Sequence, residues 1–285
     1  MTPAPPPAAQ AQANGVWPVL QAPPLWRVLD FISDLHLQAS EPASFDAWRS
    51  YMHHTRADAV FILGDLFDVW VGDDAAGSGF ELQCAEVLQQ AGRRLKLFFM
   101  HGNRDFLVGA KFMALCNATL LADPATLHFG GQQWLLSHGD ALCLADTDYQ
   151  AFRANVRNPL WQHDFLAKPL DERKAVARAL RAQSEARKRS HMDAADLDLD
   201  ATKAWLARAQ ARHMIHGHTH RPADHSLGDG MQRIVLSDWD AGANPPRAQV
   251  LRLSIDGALQ AGGPRAQAGS AGASVCVQRI SPEQA

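Results

Sequence analysis

The sequence predicts an α/β fold, a covered sheet with polar residues gathered at its strand ends and a helical insertion in the second half. Three observations lead there. Short apolar runs recur along the chain, several of them pass straight into clusters of Gly, Asp, Asn and His, and one long stretch changes to helical spacing. The runs are Val28 to Ser33, Ala59 to Leu63, Leu95 to Met100, Trp134 to Ser137, His213 to Ile215 and Ile234 to Ser237. They are too short for helices, and residues on both of their faces are apolar, as in a sheet covered by other layers. Four of the first five lead into a Gly beside Asp, Asn or His, and the first leads directly to Asp34 and His36. Ligands of open α/β sheets collect at the carboxyl ends of strands, so several segments deliver polar groups to one edge.

Taken in order, residues 1 to 26 carry no charge and contain seven prolines between Pro3 and Pro24. A secretion signal needs a basic start and an unbroken apolar stretch, so a disordered Pro/Ala-rich leader is expected instead. The folded domain is expected over 27 to 256. From about 147 to 200 the strand rhythm stops, and Trp161, Phe165, Leu166, Leu170, Val176 and Leu180 recur at roughly helical spacing. This is read as a helical insertion. Between Lys168 and Arg189 it holds eight Lys and Arg against three Asp and Glu, then turns acidic from Asp193 to Asp200. The basic run Arg187-Lys188-Arg189 reads equally well as a solvated helix face or as a binding surface. Residues 257 to 285 hold five Gly and seven Ala and are expected to form a flexible tail.

Composition removes several function classes. With 27 Lys and Arg against 30 Asp and Glu, the formal net charge is −3, which gives no global basic field for nucleic acid. No window holds the roughly 18 to 20 uninterrupted apolar residues that a spanning helix needs, so a membrane contact would be peripheral. Cys84, Cys116, Cys143 and Cys276 form no CxxC pair. Neither a thiolate zinc site nor a disulfide framework is indicated.

Five clusters carry the chemistry: Ser33-Asp34-Leu35-His36, Gly64-Asp65-Leu66-Phe67-Asp68, Gly102-Asn103-Arg104-Asp105, Ser137-His138-Gly139-Asp140 and His216-Gly217-His218-Thr219-His220. Singly, each has a bland reading. Asp34 could cap a helix, Gly64-Asp65 could be a turn, and Asn103 could satisfy its own loop. Together they supply oxygen and nitrogen donors without thiolate, a set suited to Mn²⁺, Fe²⁺ or Zn²⁺. Asp105 and Asp140 fit the orientation of imidazoles or backbone better than direct coordination. The remaining histidines are taken as surface or satisfied core residues.

The order D-x-H, G-D, G-N-x-D, H-G-D, G-H-x-H resembles the calcineurin-like metallophosphoesterases across about 28 to 240. Phe31 to Leu37, Gly64 to Phe67 leading to Gly72-Asp73-Asp74, His101 to Leu107 and His216 to Pro222 resemble its UDP-2,3-diacylglucosamine pyrophosphatase branch, which serves lipid A biosynthesis. The resemblance implies a four-layer α/β/β/α sandwich with metals at one edge and the insertion as a helical cap. It implies two Mn²⁺, other divalent transition metals being possible, one held by Asp34, His36, Asp65 and His218. The second is held by Asp65, Asn103, His138 and His216, with Asp65 bridging. Two cations about 3.5 to 4 Å apart bring a bound water towards deprotonation near neutral pH and neutralise phosphoryl oxygens.

The resemblance also implies polar substrate contacts at Asn103, Arg104, Asp146, Ser184, Lys188 and His216, with Asp65, Asn103 and Arg104 as the catalytic group. Many relatives of the wider superfamily carry a histidine where Arg104 stands. Arginine holds its proton at working pH, so its planar fork suits charge stabilisation on phosphate rather than proton donation. A phosphate leaving group needs no protonation, whereas an alkoxide gains from it. His101 and His220 remain alternative donors.

The activity implied is hydrolysis of UDP-2,3-diacylglucosamine to UMP and 2,3-diacylglucosamine 1-phosphate by metal-activated hydroxide attacking the α phosphorus. The site implied is peripheral, on the cytoplasmic face of a bacterial inner membrane. Alternatives are a metallophosphoesterase acting on a soluble nucleotide pyrophosphate or phosphodiester, and a scaffold without catalysis. All seven ligands are present, which disfavours the scaffold. Two departures from the pattern stand out: the 184 to 200 stretch is shortened, and Asp30 puts a charge inside the first apolar strand.

Overall fold

The computed structural model describes residues 17–190, 196–255 and 274–285, with 182–190 described by backbone alone. Its core is two six-stranded mixed sheets packed face to face. The first has the order β1-β6-β7-β8-β10-β9, from β1 (Val19–Gln21), β6 (Ala125–Phe129), β7 (Gln132–Ser137), β8 (His213–His216), β10 (Met231–Val235) and β9 (Ala223–Gly228). The second has the order β12-β11-β2-β3-β4-β5, from β12 (Val275–Ile280), β11 (Val250–Ile255), β2 (Val28–Ile32), β3 (Ala59–Ile62), β4 (Lys96–Met100) and β5 (Ala118–Leu121). All six apolar runs expected as strands lie on strands, and β2 and β3 are buried throughout.

Strand periodicity sorts the apolar residues into three cores. Leu29, Phe31, Phe61, Phe98, Leu127, Trp134, Ile215 and Leu253 fill the space between the sheets. The alternate residues Val28, Ile32, Val60, Ile62, Leu97 and Phe99 face the other way, against helices. These helices are α1 (Pro42–His54), α2 (Gly79–Gly92) and α3 (Ala110–Leu115). Helix α1 starts at Pro42, whose fixed φ suits the first helical turn, and Phe45, Trp48 and Met52 give it one buried face. On the far side of the first sheet, Leu135 and Met214 pack with Leu206 of α7 (Leu199–Arg208). The result is the expected α/β/β/α order.

The insertion is helical, as its spacing predicts. It contains α4 (Thr147–Val156), capped by Asp146, then α5 (Pro159–Leu166), capped by Asn158, and α6 (Leu170–Ser190). Helix α7, capped by Asp198, carries the helical region past the expected limit at 200.

Two boundaries differ from expectation. Residues 17 to 26 were expected in the disordered leader, yet Val19–Gln21 pairs parallel with β6, and Trp17 is buried against Trp205 with its ring under Arg208. Residues 275 to 280 were expected in the flexible tail, yet they pair antiparallel with β11 along its whole length. Both are edge strands, which need one neighbour only and tolerate flanking prolines, so neither composition nor periodicity marks them. Residues 1–16 of the expected leader and 257–273 of the expected tail lie outside the described residues.

Asp30 also finds its explanation. It is fully buried and lies directly opposite Arg252 in the β2–β11 ladder. Arg252 Nε and Nη2 donate to its carboxylate at 2.7 and 2.8 Å, Thr55 Oγ1 at 2.8 Å and the Tyr51 hydroxyl at 3.0 Å. The departure from pattern is a satisfied ion pair in the sheet, remote in chemistry from any ligand.

Candidate metal centre

The loops after β2, β3, β4, β7 and β8 meet at one edge of the sandwich. They bring Asp34 and His36, Asp65, Asn103 and Arg104, His138, and His216 to His220 together from five segments of chain. Backbone bonds stitch these loops to each other. The Asp34 amide donates to the Gly64 carbonyl at 3.1 Å, His36 to Asp65 at 3.0 Å, and Gly217 to His138 at 3.0 Å.

Close approach dictates the glycines. A Cβ on Gly102 would lie 2.0 Å from Asp65 Oδ1, and one on Gly217 would lie 1.8 Å from Ser33 Oγ. Strain is concentrated here too. Asp34, His36, Asp65, His218 and His220 all have φ between 48° and 70°, in the left-handed region that L-residues rarely occupy. Such conformations persist where the surrounding structure over-determines them, and they gather at working sites.

Asp65 Oδ2 is central. It lies 3.9 Å from His36 Nδ1, 3.8 Å from His138 Nε2 and 3.6 Å from Arg104 Nε. Asn103 Oδ1 is 3.0 Å from His138 Nε2 and 2.9 Å from His218 Nδ1. Donor atoms of Asp34, Asp65 and His138 fall within 4.8 Å of one another, and so do those of Asp34, His36 and His220. Two imidazoles are set by backbone carbonyls. His138 Nδ1 donates to Leu63 O at 2.9 Å and His216 Nδ1 to Gly217 O at 2.8 Å, which turns each Nε2 inward. His216 Nε2 is buried with no hydrogen-bond partner.

The electrostatics fit a missing positive charge. Burial pushes the Asp65 carboxyl up, and the neighbouring Asp34 adds to this against His138 and Arg104. Burial works in the same direction on Asp34, but His220, His138 and His36 outweigh it and hold that carboxyl well below the usual range. Burial lowers His216 to about 4 and His218, helped by His138, to about 3, so both rings are neutral donors. His138 is raised to about 9 because Asp65, Asp34 and Asp140 outweigh its burial. A proton there supplies positive charge that a bound cation would supply instead. Oxygen and nitrogen donors around an orphaned imidazole nitrogen therefore fit divalent transition metals.

Asp105 acts on backbone, as expected. Its carboxylate accepts from the amides of Leu66 at 2.8 Å and Gly102 at 2.8 Å, which braces the Asp65 loop against the Asn103 loop. Asp140 accepts from Arg153 Nε at 2.8 Å and Tyr149 Oη at 2.5 Å, pinning α4 below the site. His101 Nε2 is engaged by the Val108 carbonyl at 2.7 Å, and burial lowers the ring to about 4. His220 stands closer to the centre, 3.2 Å from His36 Nε2 and 3.4 Å from Asp34 Oδ1.

The expected substrate contacts divide. Asn103, Arg104 and His216 are at the centre. Asp146 is exposed and accepts the Tyr149 amide at 3.0 Å as the cap of α4, a role sufficient to explain it. Ser184 and Lys188 sit on α6, where side chains lie outside the described residues. Asp68, the last residue of the second donor cluster, is not among the expected ligands, and Arg181 was not singled out by the sequence; the two meet beside Arg104.

Comparison with known proteins agrees with this geometry. Residues 28–222 match the calcineurin-like phosphoesterase family. A UDP-2,3-diacylglucosamine hydrolase of Chromobacterium violaceum is 46% identical over 75% of this chain and 91% of its own length. Enzymes of the same name from Chromohalobacter salexigens and Cellvibrio japonicus are 43% and 44% identical, covering 79% and 73% of this chain and 92% and 90% of theirs. Among the described residues no helix is long and apolar enough to cross a membrane. With five loops converging in the expected order on a buried carboxylate and histidine cluster, the chain belongs to the calcineurin-like phosphoesterase family, in its UDP-2,3-diacylglucosamine hydrolase branch.

Proposed function

We propose that the chain hydrolyses the pyrophosphate bond of UDP-2,3-diacylglucosamine, adding water across it to release UMP and 2,3-diacylglucosamine 1-phosphate. The observation that carries this reading is the buried cluster around Asp65 with Arg104 beside it and a cap helix above. Asp34, His36, Asp65 and His218 would hold one cation and Asp65, Asn103, His138 and His216 the other, with Mn²⁺ as the expected metal. Bound there, the cations supply an acidified water and positive charge for the phosphoryl oxygens.

The chain's own residues do the rest. Asp65 would be the ligand common to both sets. Leu63 and Gly217 carbonyls engage Nδ1 of His138 and His216 and so aim each Nε2 at the centre. The Asn103 side-chain oxygen faces His138 and His218, and its position next to Arg104 brings the amide to the phosphoryl edge. Arg104 offers a planar donor fork to charge that builds up on the scissile phosphate. The bond from the α phosphorus to the bridging oxygen breaks, and the departing group leaves as a phosphate anion that needs no proton donor.

The insertion supports a lipid substrate. Trp161 and Phe165 of α5 stack at 4.9 Å within the cap, while Phe152, Leu160 and Leu166 are exposed on α4 and α5. Apolar side chains beside basic helices suit peripheral contact with an anionic bilayer, from which an acylated substrate is collected. The test is turnover of UDP-2,3-diacylglucosamine against diadenosine polyphosphates and bis(p-nitrophenyl) phosphate, with Mn²⁺ present. Faster hydrolysis of the soluble compounds would overturn the lipid reading and leave the phosphoesterase. Failure to co-sediment with anionic vesicles would remove the peripheral membrane role.

A further inference from the structure

Asp68 has no place in the ligand set, yet its nearly buried carboxylate is where two arginines meet. Oδ1 accepts from Arg104 Nη1 at 2.9 Å and also from Arg181 Nη1 of the cap helix α6. Asp68 is itself held in place. Its amide donates to the Leu37 carbonyl at 3.2 Å, and its own carbonyl takes a second contact from Arg181 Nη1 at 3.4 Å. The Arg104 backbone is equally fixed, its amide donating to Asp65 Oδ1 at 2.9 Å and its carbonyl accepting from Trp70 at 3.2 Å.

Those backbone bonds leave the guanidinium free to turn on a long stem. Asp65 Oδ2, 3.6 Å from Nε, attracts it. That carboxylate belongs to the ligand set, so cations bound there share its charge and also repel the guanidinium. Asp68 lies outside both ligand groups, so its carboxylate stays available to Arg104 and Arg181. We propose that Asp68 is a positioning residue, which holds the Arg104 guanidinium at the phosphoryl edge and, through Arg181, ties its orientation to the seating of α6. The proposal rests on the reading of Arg104 as the phosphate-stabilising group.

A second anchor on the same helix provides the contrast. Arg173 donates to Asp74 at 2.9 Å and to the Val71 carbonyl. It holds α6 to the same loop without touching Arg104.

The experiment is a double-mutant cycle on the full, metal-loaded chain, with kcat and KM measured on UDP-2,3-diacylglucosamine and on bis(p-nitrophenyl) phosphate, and metal content measured by mass spectrometry. Asp68→Asn is expected to lower kcat about ten- to a hundredfold, as misplacement of a catalytic group does, with little change in KM or metal content. Asp68→Asn combined with Arg104→Ala is expected to be no slower than Arg104→Ala alone, whereas Asp74→Asn is expected to add its effect independently. Additive losses for Asp68, or wild-type kcat in Asp68→Asn, would overturn the proposal. If Asp68→Asn does not fold, Arg181→Gln carries the test: a several-fold loss beside Arg104 and none beside Arg104→Ala supports it, and equal losses overturn it. Failure of the lipid assignment is a separate outcome, because wild type would then turn over the diester alone and the cycle would be read there.

Discussion

Asp30 and Asp34 lie on either side of the end of β2 and both are fully buried, yet they do opposite things. Asp30 accepts from Arg252, Tyr51 and Thr55 inside the protein, so its charge is matched by groups that fold with it. Asp34 sits with His36, His138 and His220 against Asp65, whose carboxyl is pushed up by burial and by Asp34, so the two acids hold more negative charge than their neighbours balance fully. Burial alone therefore does not mark function. What marks it is a buried charge whose neighbours leave it short of a counter-ion, because such a site gains stability only when something binds.

That contrast can be broken by measurement. The largest effect is expected at Asp65→Ala, which removes the carboxylate proposed to be common to both cations. Turnover should vanish and metal content should fall, and full metal loading in that variant would end the bridging role. In metal-free protein the same substitution should leave the melting temperature unchanged or higher, since the fold disfavours the ionised Asp65. Arg104→Ala should lower kcat about 10²- to 10³-fold, the usual loss when a transition-state donor is removed, with both metals retained. Unchanged kinetics would refute its phosphate role. Arg252→Ala is expected to reverse the pattern, destabilising the protein by about 3 to 5 kcal/mol through an orphaned Asp30 while metal content stays intact. A smaller loss in urea denaturation would place Asp30 with the functional acids. Asp146→Ala should cost about 1 kcal/mol as a lost helix cap and leave KM alone. A raised KM would restore Asp146 as a substrate contact.

The two acids also show how far sequence reading reaches. Asp34 was legible because it belongs to an ordered series of Gly, Asp, Asn and His clusters, each directly after a buried strand. Asp30 was visible as an anomaly only, since its partner Arg252 lies on β11 and becomes its neighbour through strand pairing. The same holds for Asp68 and Arg181, which are far apart in the chain and meet because α6 folds over the loop after β3. The edge strands β1 and β12 were missed for a related reason. Their pairing lies in the neighbour's open ladder rather than in their own periodicity.

The sequence by itself determined the fold class, six of the eight interior strands and the residue types at the metal edge, because burial patterns and donor chemistry are local properties of each segment. Only the tertiary structure decided which donors face one another and which acid is already satisfied. It also decided how the cap helix reaches Arg104. Those relations depend on distances between segments remote in the chain, and a few ångströms separate a hydrogen-bonded charge from one that waits for a cation.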